Sequence, residues 1–144
     1  MKIIFNKKKI FIQNVKKLSW FEKGIGLMFS SRKNAKALLF EFKKPVKISF
    51  TSWFVFFPFL IIWIDNKNNL LNFKKINPFT FHIPSGKPFK KVLEIPFNDN
   101  YEETIGKFSK FSTRALPPNI NKNHKNFVKI KTLVGREHLK RRKS

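Results

Sequence analysis

A mainly β domain, compact and barrel- or sandwich-like, with one or two short helices and a basic C-terminal extension, is the fold class that this 144-residue sequence predicts. Three observations lead there. Short runs rich in Val, Ile, Phe and Trp recur between clusters of Asn, Lys, Gly and Pro, which is the pattern of strands separated by turns. Residues 48–64 are 17 residues without a charge, interrupted at Pro58, and suit two buried strands. Residues 109–144 hold 11 basic side chains against one acidic, a composition too polar to offset its own ordering entropy by burial.

Taken in order, Lys2–Phe5 and Ile10–Val15 read as short strands around a hairpin-like loop, Asn6-Lys7-Lys8-Lys9. Ser19-Trp20-Phe21-Glu22 has capping-box spacing, so a short helix is expected there, stopping near Gly24 or Gly26. Ala37–Phe42 and Val46–Val55 read as strands, and Pro58 separates the latter from Phe59–Ile64. Asp65-Asn66-Lys67-Asn68 is a turn from which Leu70–Phe73 returns, and Val92–Ile95 is a further strand. Asn100-Tyr101-Glu102-Glu103 resembles a helix start, with acids where the helix dipole favours them. Strand alternation then predicts that Phe50, Phe54, Phe56, Ile62 and Ile64 face inward and that Glu41 and Glu94 face outward. The domain is expected to span residues 1–108, with residues 109–144 a basic, weakly structured tail ending in Lys140-Arg141-Arg142-Lys143. Residues 1–112 are expected to fold alone.

Residues 48–64 admit one alternative, a membrane-embedded segment flanked by Trp53 and Trp63. As a helix they reach about 25 Å, short of a hydrocarbon core of roughly 30 Å, and Pro58 breaks them midway. Buried strands are the stronger reading.

The order of local motifs resembles a known family. Gly26-Leu27-Met28-Phe29, Leu38-Leu39-Phe40-Glu41-Phe42, Ser49-Phe50, Pro58 with Ile61-Ile62-Trp63-Ile64-Asp65, and Val92-Leu93-Glu94-Ile95 look like successive signatures of domain of unknown function 192, found in bacteria and archaea. The resemblance covers roughly residues 11–108 and implies a compact β domain with a short helix before the Gly-Leu-Met-Phe signature. It implies no established reaction, and it stops short of the tail. Where the family carries an Arg after that signature, this chain has Ser30, with Arg32 two residues on. The family's Asn, Thr and Asp positions in its polar segment become Phe54, Val55 and Leu60, so an activity needing that polar cluster is expected to be absent.

The chemistry narrows in the same way. Without cysteine there is no disulfide scaffold, thiolate zinc site or cysteine nucleophile. Glu102 and Glu103 suit a first helical turn, Asp65 a turn and Glu22 a cap, so no carboxylate is assigned as catalytic. His82, His124 and His138 lack metal-ligand spacing, so no metal is expected. Gly24-Ile25-Gly26 lacks the remainder of a phosphate loop, and no cofactor is expected.

A net charge of +23 points instead to an anionic partner. Part of it reflects composition, because Lys, Phe, Ile and Asn rise together here as they do in AT-rich coding sequences. The leading expectation is a non-enzymatic domain that binds RNA or DNA non-specifically through Lys7, Lys8, Lys9, Lys140, Arg141, Arg142 and Lys143. An anionic membrane surface is the alternative partner, and an enzyme with a ligand cavity is the third reading. No signal-peptide apolar region precedes Lys7-Lys8-Lys9, which sets an expectation of cytoplasmic residence, with membrane association as the alternative.

Overall fold

The computed structural model of the protein describes residues 1–19 and 25–115. Among these are nine strands: β1 (Lys2–Phe5), β2 (Lys8–Phe11), β3 (Val15–Lys17), β4 (Ala37–Val46), β5 (Ser49–Phe50), β6 (Phe59–Ile64), β7 (Leu70–Ile76), β8 (Ile83–Pro84) and β9 (Phe89–Pro96). A 3-10 turn (Asp99–Tyr101) then leads into helix α1 (Glu102–Ala115). The main sheet has the order β3-β4-β9-β6-β7, with β3 parallel to β4 and the other pairs antiparallel. A β1–β2 hairpin and a β5–β8 ribbon complete it, and these sheets do not close into a barrel.

The uncharged run explains an interior strand of the sheet. All six residues of β6 are buried, because the strand lies between β9 and β7 and is covered on both faces. A strand so placed has no solvent side to carry polar residues. On one face Leu38, Phe40, Phe59, Ile61, Trp63 and Val92 pack with Leu18, Leu27, Val55, Phe57 and Ile83. By alternation Leu60, Ile62, Ile64, Leu93 and Ile95 occupy the other face, and they are buried too.

Several expectations give way to local chemistry. The β1–β2 connection is a two-residue turn, since Phe5 pairs with Lys8, and Asn6 and Lys7 both take positive φ (47° and 63°). That left-handed pair matches the twist of a tight hairpin and places Lys8 and Lys9 within β2. β2 ends at Phe11, and Asn14, at φ 49°, turns the chain just before β3, so Ile10–Val15 is not one strand. The Tyr101 hydroxyl closes this region: it accepts the Ala37 N–H (2.8 Å) and donates to the Asn14 carbonyl (2.8 Å).

The larger correction concerns Val46–Val55. Only Ser49 and Phe50 pair as a strand, and residues 51–58 form a loop. Ser52, fully buried, holds that loop to residues 77–80. Its hydroxyl accepts the Thr80 N–H (2.7 Å) and donates to the Asn77 carbonyl (2.9 Å), while its backbone exchanges bonds with Thr80 and Phe79. Period-two alternation fails there. Ile62 and Ile64 are in the core, Phe50 is half-buried, and Phe54 and Phe56 are 43% and 61% exposed.

The helix expected after Ser19 falls on residues 20–24, outside the described residues, as does the chain beyond Ala115. Residues 1–107 form one compact unit, and a second begins at Phe108, within the span of α1. Among the described residues no helix is long and apolar enough to cross a membrane.

Candidate functional site

Glu94 reverses its expected orientation. On β9 it pairs across to Leu38 and Ile61, which places its side chain on the same face as Phe40, Trp63 and Val92. It is 5% exposed. Gly26, at φ +54°, lies over it so closely that a Cβ there would stand 3.1 Å from Glu94 Oε2 and 3.3 Å from the Phe40 ring. Burial pushes the Glu94 carboxyl up to about 8, and the Leu27 N–H donated to it pulls only partly back. At neutral pH it is therefore a protonated acid sealed beneath a turn, out of reach of a substrate. Glu41 is half-buried rather than outward. Its hydrogen bond and ion pair with Lys17 hold its carboxyl below the usual range, against a smaller opposing effect of burial, with Lys91 contributing from 3.8 Å.

The lysines meet at the far end of β4. Register in the β4–β9 pair slips between Glu41 and Val46, so that residues 42–45 bulge opposite Lys90. Lys90 Nζ donates to the Lys43 carbonyl (2.9 Å), and Val46 pairs with Phe89. Lys47 follows Val46, and Lys87 precedes Phe89 on a turn closed by Ser85 Oγ donating to the Lys87 carbonyl (2.8 Å). The bulge and the strand ends beside it thus carry exposed Lys43, Lys44, Lys47 and Lys87, with half-buried Lys90 tied to the bulge backbone. The sequence carries no acid from Phe42 to Ile64 or from Asn66 to Leu93, and Glu41 is already occupied.

Of the residues expected from sequence, Lys7 sits exposed on the hairpin turn, and Lys8 and Lys9 are exposed on β2. The hairpin reaches the β6–β7 turn, where the Ile4 N–H donates to the Asn68 carbonyl (2.8 Å). Lys140, Arg141, Arg142 and Lys143 lie outside the described residues. The five bulge lysines were missed. Their acid-free surroundings are visible in the sequence, but the register slip that assembles them is not.

At the other end of the β5–β8 ribbon, exposed rings crowd together. Phe29 stacks on Phe54 (centroids 5.1 Å, planes 21° apart), and the Phe29 N–H donates to the Phe54 carbonyl (3.0 Å). Trp53 meets Phe54 at 5.6 Å and Phe81 edge-on at 4.6 Å, and Phe56 meets Phe79 edge-on at 5.6 Å.

A separate depression of about 250 Å³ is lined by Arg32, Phe97, Asn98, Asp99, Glu102 and Ile105. Arg32 Nε donates to the Phe97 carbonyl (2.7 Å), and the lining holds no nucleophile beside a base. Among the described residues, no three His, Asp or Glu side chains come together as a metal site.

The DUF192 family model, described as an uncharacterized ACR, matches residues 6–105. The chain belongs to the DUF192 family. Two crystal structures share the fold seen here. One is a protein of unknown function from Novosphingobium aromaticivorans, 19% identical, with a TM-score of 0.54 over 66% of this chain and 70% of that one. The other is a candidate transcription regulator from Sinorhizobium meliloti, 18% identical, with a TM-score of 0.58 over 73% of this chain and 82% of that one. No curated protein matches the chain. The structure also disperses the three substituted positions noted in this DUF192 chain. Val55 joins the core beside Phe57, Leu60 is buried on the opposite face of the sheet, and Phe54 stands at the surface.

Proposed function

We propose that this DUF192 domain acts without catalysis by binding the phosphate backbone of RNA or DNA, non-specifically and in competition with salt. The observation that carries the reading is the bulge of β4 with the strand ends beside it, which carry Lys43, Lys44, Lys47, Lys87 and Lys90 on stretches of sequence that hold no acid. Lysines so placed exchange condensed counterions for protein contacts and give affinity without base readout. Lys7, Lys8, Lys9 and the tail cluster Lys140, Arg141, Arg142 and Lys143 extend the same chemistry. The Sinorhizobium relative's description as a candidate regulator is compatible, but its 18% identity lends the fold alone.

The test is a salt titration of RNA-oligomer binding by the full chain and by a Lys43→Gln, Lys44→Gln, Lys47→Gln triple variant. The slope of log affinity against log salt should fall by about 0.7 for each lost phosphate contact on a single strand, or about two for three. An unchanged slope would remove the bulge from the binding surface. The same lysines favour an anionic membrane as a second partner, at about 1 kcal/mol per basic group near the surface. Sedimentation with anionic and neutral vesicles separates the two.

A further inference from the structure

We infer that the exposed rings Phe29, Trp53, Phe54, Phe56, Phe79 and Phe81 form a stacking shelf for the bases of single-stranded nucleic acid. The inference rests on the backbone-binding reading above and gives that site its selectivity for unpaired strands.

Isolated surface aromatics need no explanation, but these six are collected by three tethered loops. The exposed fractions run from 42% at Trp53 to 69% at Phe29. Three of them, Phe29, Phe54 and Phe79, hold φ between 56° and 58°, a left-handed backbone that bulky side chains rarely adopt. Hydrogen bonds impose that conformation: Ser52 binds the backbone of Phe79 and Thr80, and Phe54 accepts from Phe29. Such over-determined strain at a surface is a mark of a functional site.

The ring geometry suits bases. In the Trp53–Phe81 and Phe56–Phe79 pairs the planes meet at 90° and 80°, so one ring's edge meets the other's face and flat ring surfaces are left open. A base can stack on such a face whatever its identity, provided it is not already stacked within a duplex.

Charge complements the rings. Ser49 pairs with Pro84 and Phe50 with Ile83, so the ribbon joins Thr51 at the shelf to Lys47 at the lysine bulge. The four residue steps from Lys47 to Thr51 cover at most about 13 Å, short against the four or more nucleotides that a single-strand site engages. One strand can therefore lay bases on the rings while its phosphates meet the lysines.

The experiment compares two dye-labelled strands of roughly 12 nucleotides, an oligothymidylate and an abasic deoxyribose-phosphate chain of equal charge, by anisotropy with the full-length protein. The thymidylate should bind at least about fivefold more tightly, since each stacked base contributes on the order of that factor or more. Trp53→Ala, and separately Phe81→Ala, should cut that advantage by about fivefold or more while leaving the abasic affinity and its salt slope unchanged. Trp53→Phe should retain it, which separates loss of the ring from loss of the fold. Equal affinity for the two strands, with salt dependence intact, overturns the shelf and leaves the lysine reading standing. If neither strand binds at low salt, both fail. If Trp53→Ala weakens sedimentation with phosphatidylserine vesicles but leaves the thymidylate advantage unchanged, the rings face lipid and the inference is wrong.

Discussion

Raising the pH across the neutral range should unload this fold through a single side chain. Glu94 is buried and accepts the Leu27 N–H, with no cation beside it among the described residues, and its carboxyl is raised from 4.5 to about 8. Below pH 4.5 it is protonated in both the folded and unfolded chains and costs nothing extra. Between 4.5 and 8 the unfolded chain releases that proton while the folded chain keeps it, so stability falls by 1.36 kcal/mol per pH unit. Across the window the loss reaches about 5 kcal/mol, comparable with the whole stability of many small domains, and it levels off above pH 8. The assay is urea denaturation at pH 5, 6, 7 and 8, beside Glu94→Gln. The amide oxygen can still accept the Leu27 N–H, but the amide does not titrate. It leaves N–H groups unpaired, which should make the variant about 1–3 kcal/mol less stable at pH 5. The two curves should therefore cross, with the variant ahead at pH 8. Titrations elsewhere are common to both proteins and cancel in the difference. Parallel curves over this range would refute a buried, proton-holding Glu94. The Lys17-paired Glu41 acts in the opposite sense: its lowered carboxyl supports the fold above the unfolded value and is lost only in acid.

Ser52→Ala should cost about 1–3 kcal/mol in urea denaturation, because the Thr80 N–H loses its side-chain acceptor in a closed loop junction and the Asn77 carbonyl keeps only the Thr80 hydroxyl. Tyr101→Phe should cost a similar amount, about 1–3 kcal/mol, by orphaning the Ala37 N–H and Asn14 carbonyl; an unchanged midpoint would show that water replaces the hydroxyl. Ile62→Asp, at a position with no exposed surface in interior strand β6, should abolish cooperative unfolding by circular dichroism, since an unpaired charge there has no solvent to reach.

What the sequence revealed followed from long, consistent signals. The Phe59–Ile64 run became a fully covered interior strand, and the acids at Glu102 and Glu103 marked the start of α1. What it hid depended on distant partners. Phe54 and Phe56 read as inward residues of a strand because nothing local reveals that Ser52 is tied to residues 77–80. Glu94 alternates correctly, but onto a covered face: charge type suggested solvent, whereas the pairing of β9 with β4 and β6 decided burial. The bulge lysines show the same limit. Lys43 and Lys90 are 47 positions apart, and their meeting depends on a register slip with no local motif.

The left-handed phenylalanines bear on how this chain would respond to selection. At Phe29, Phe54 and Phe79 a glycine or asparagine would sit in the same backbone conformation with less strain, a relief of about 1–2 kcal/mol for glycine at each position. A library sorted for thermal resistance alone should therefore drift toward those residues and shed the rings. A library sorted for ligand retention should keep the rings and find its stabilising substitutions elsewhere. The two enrichment maps should diverge most at these three codons, where robustness and recognition make opposite demands on one backbone angle.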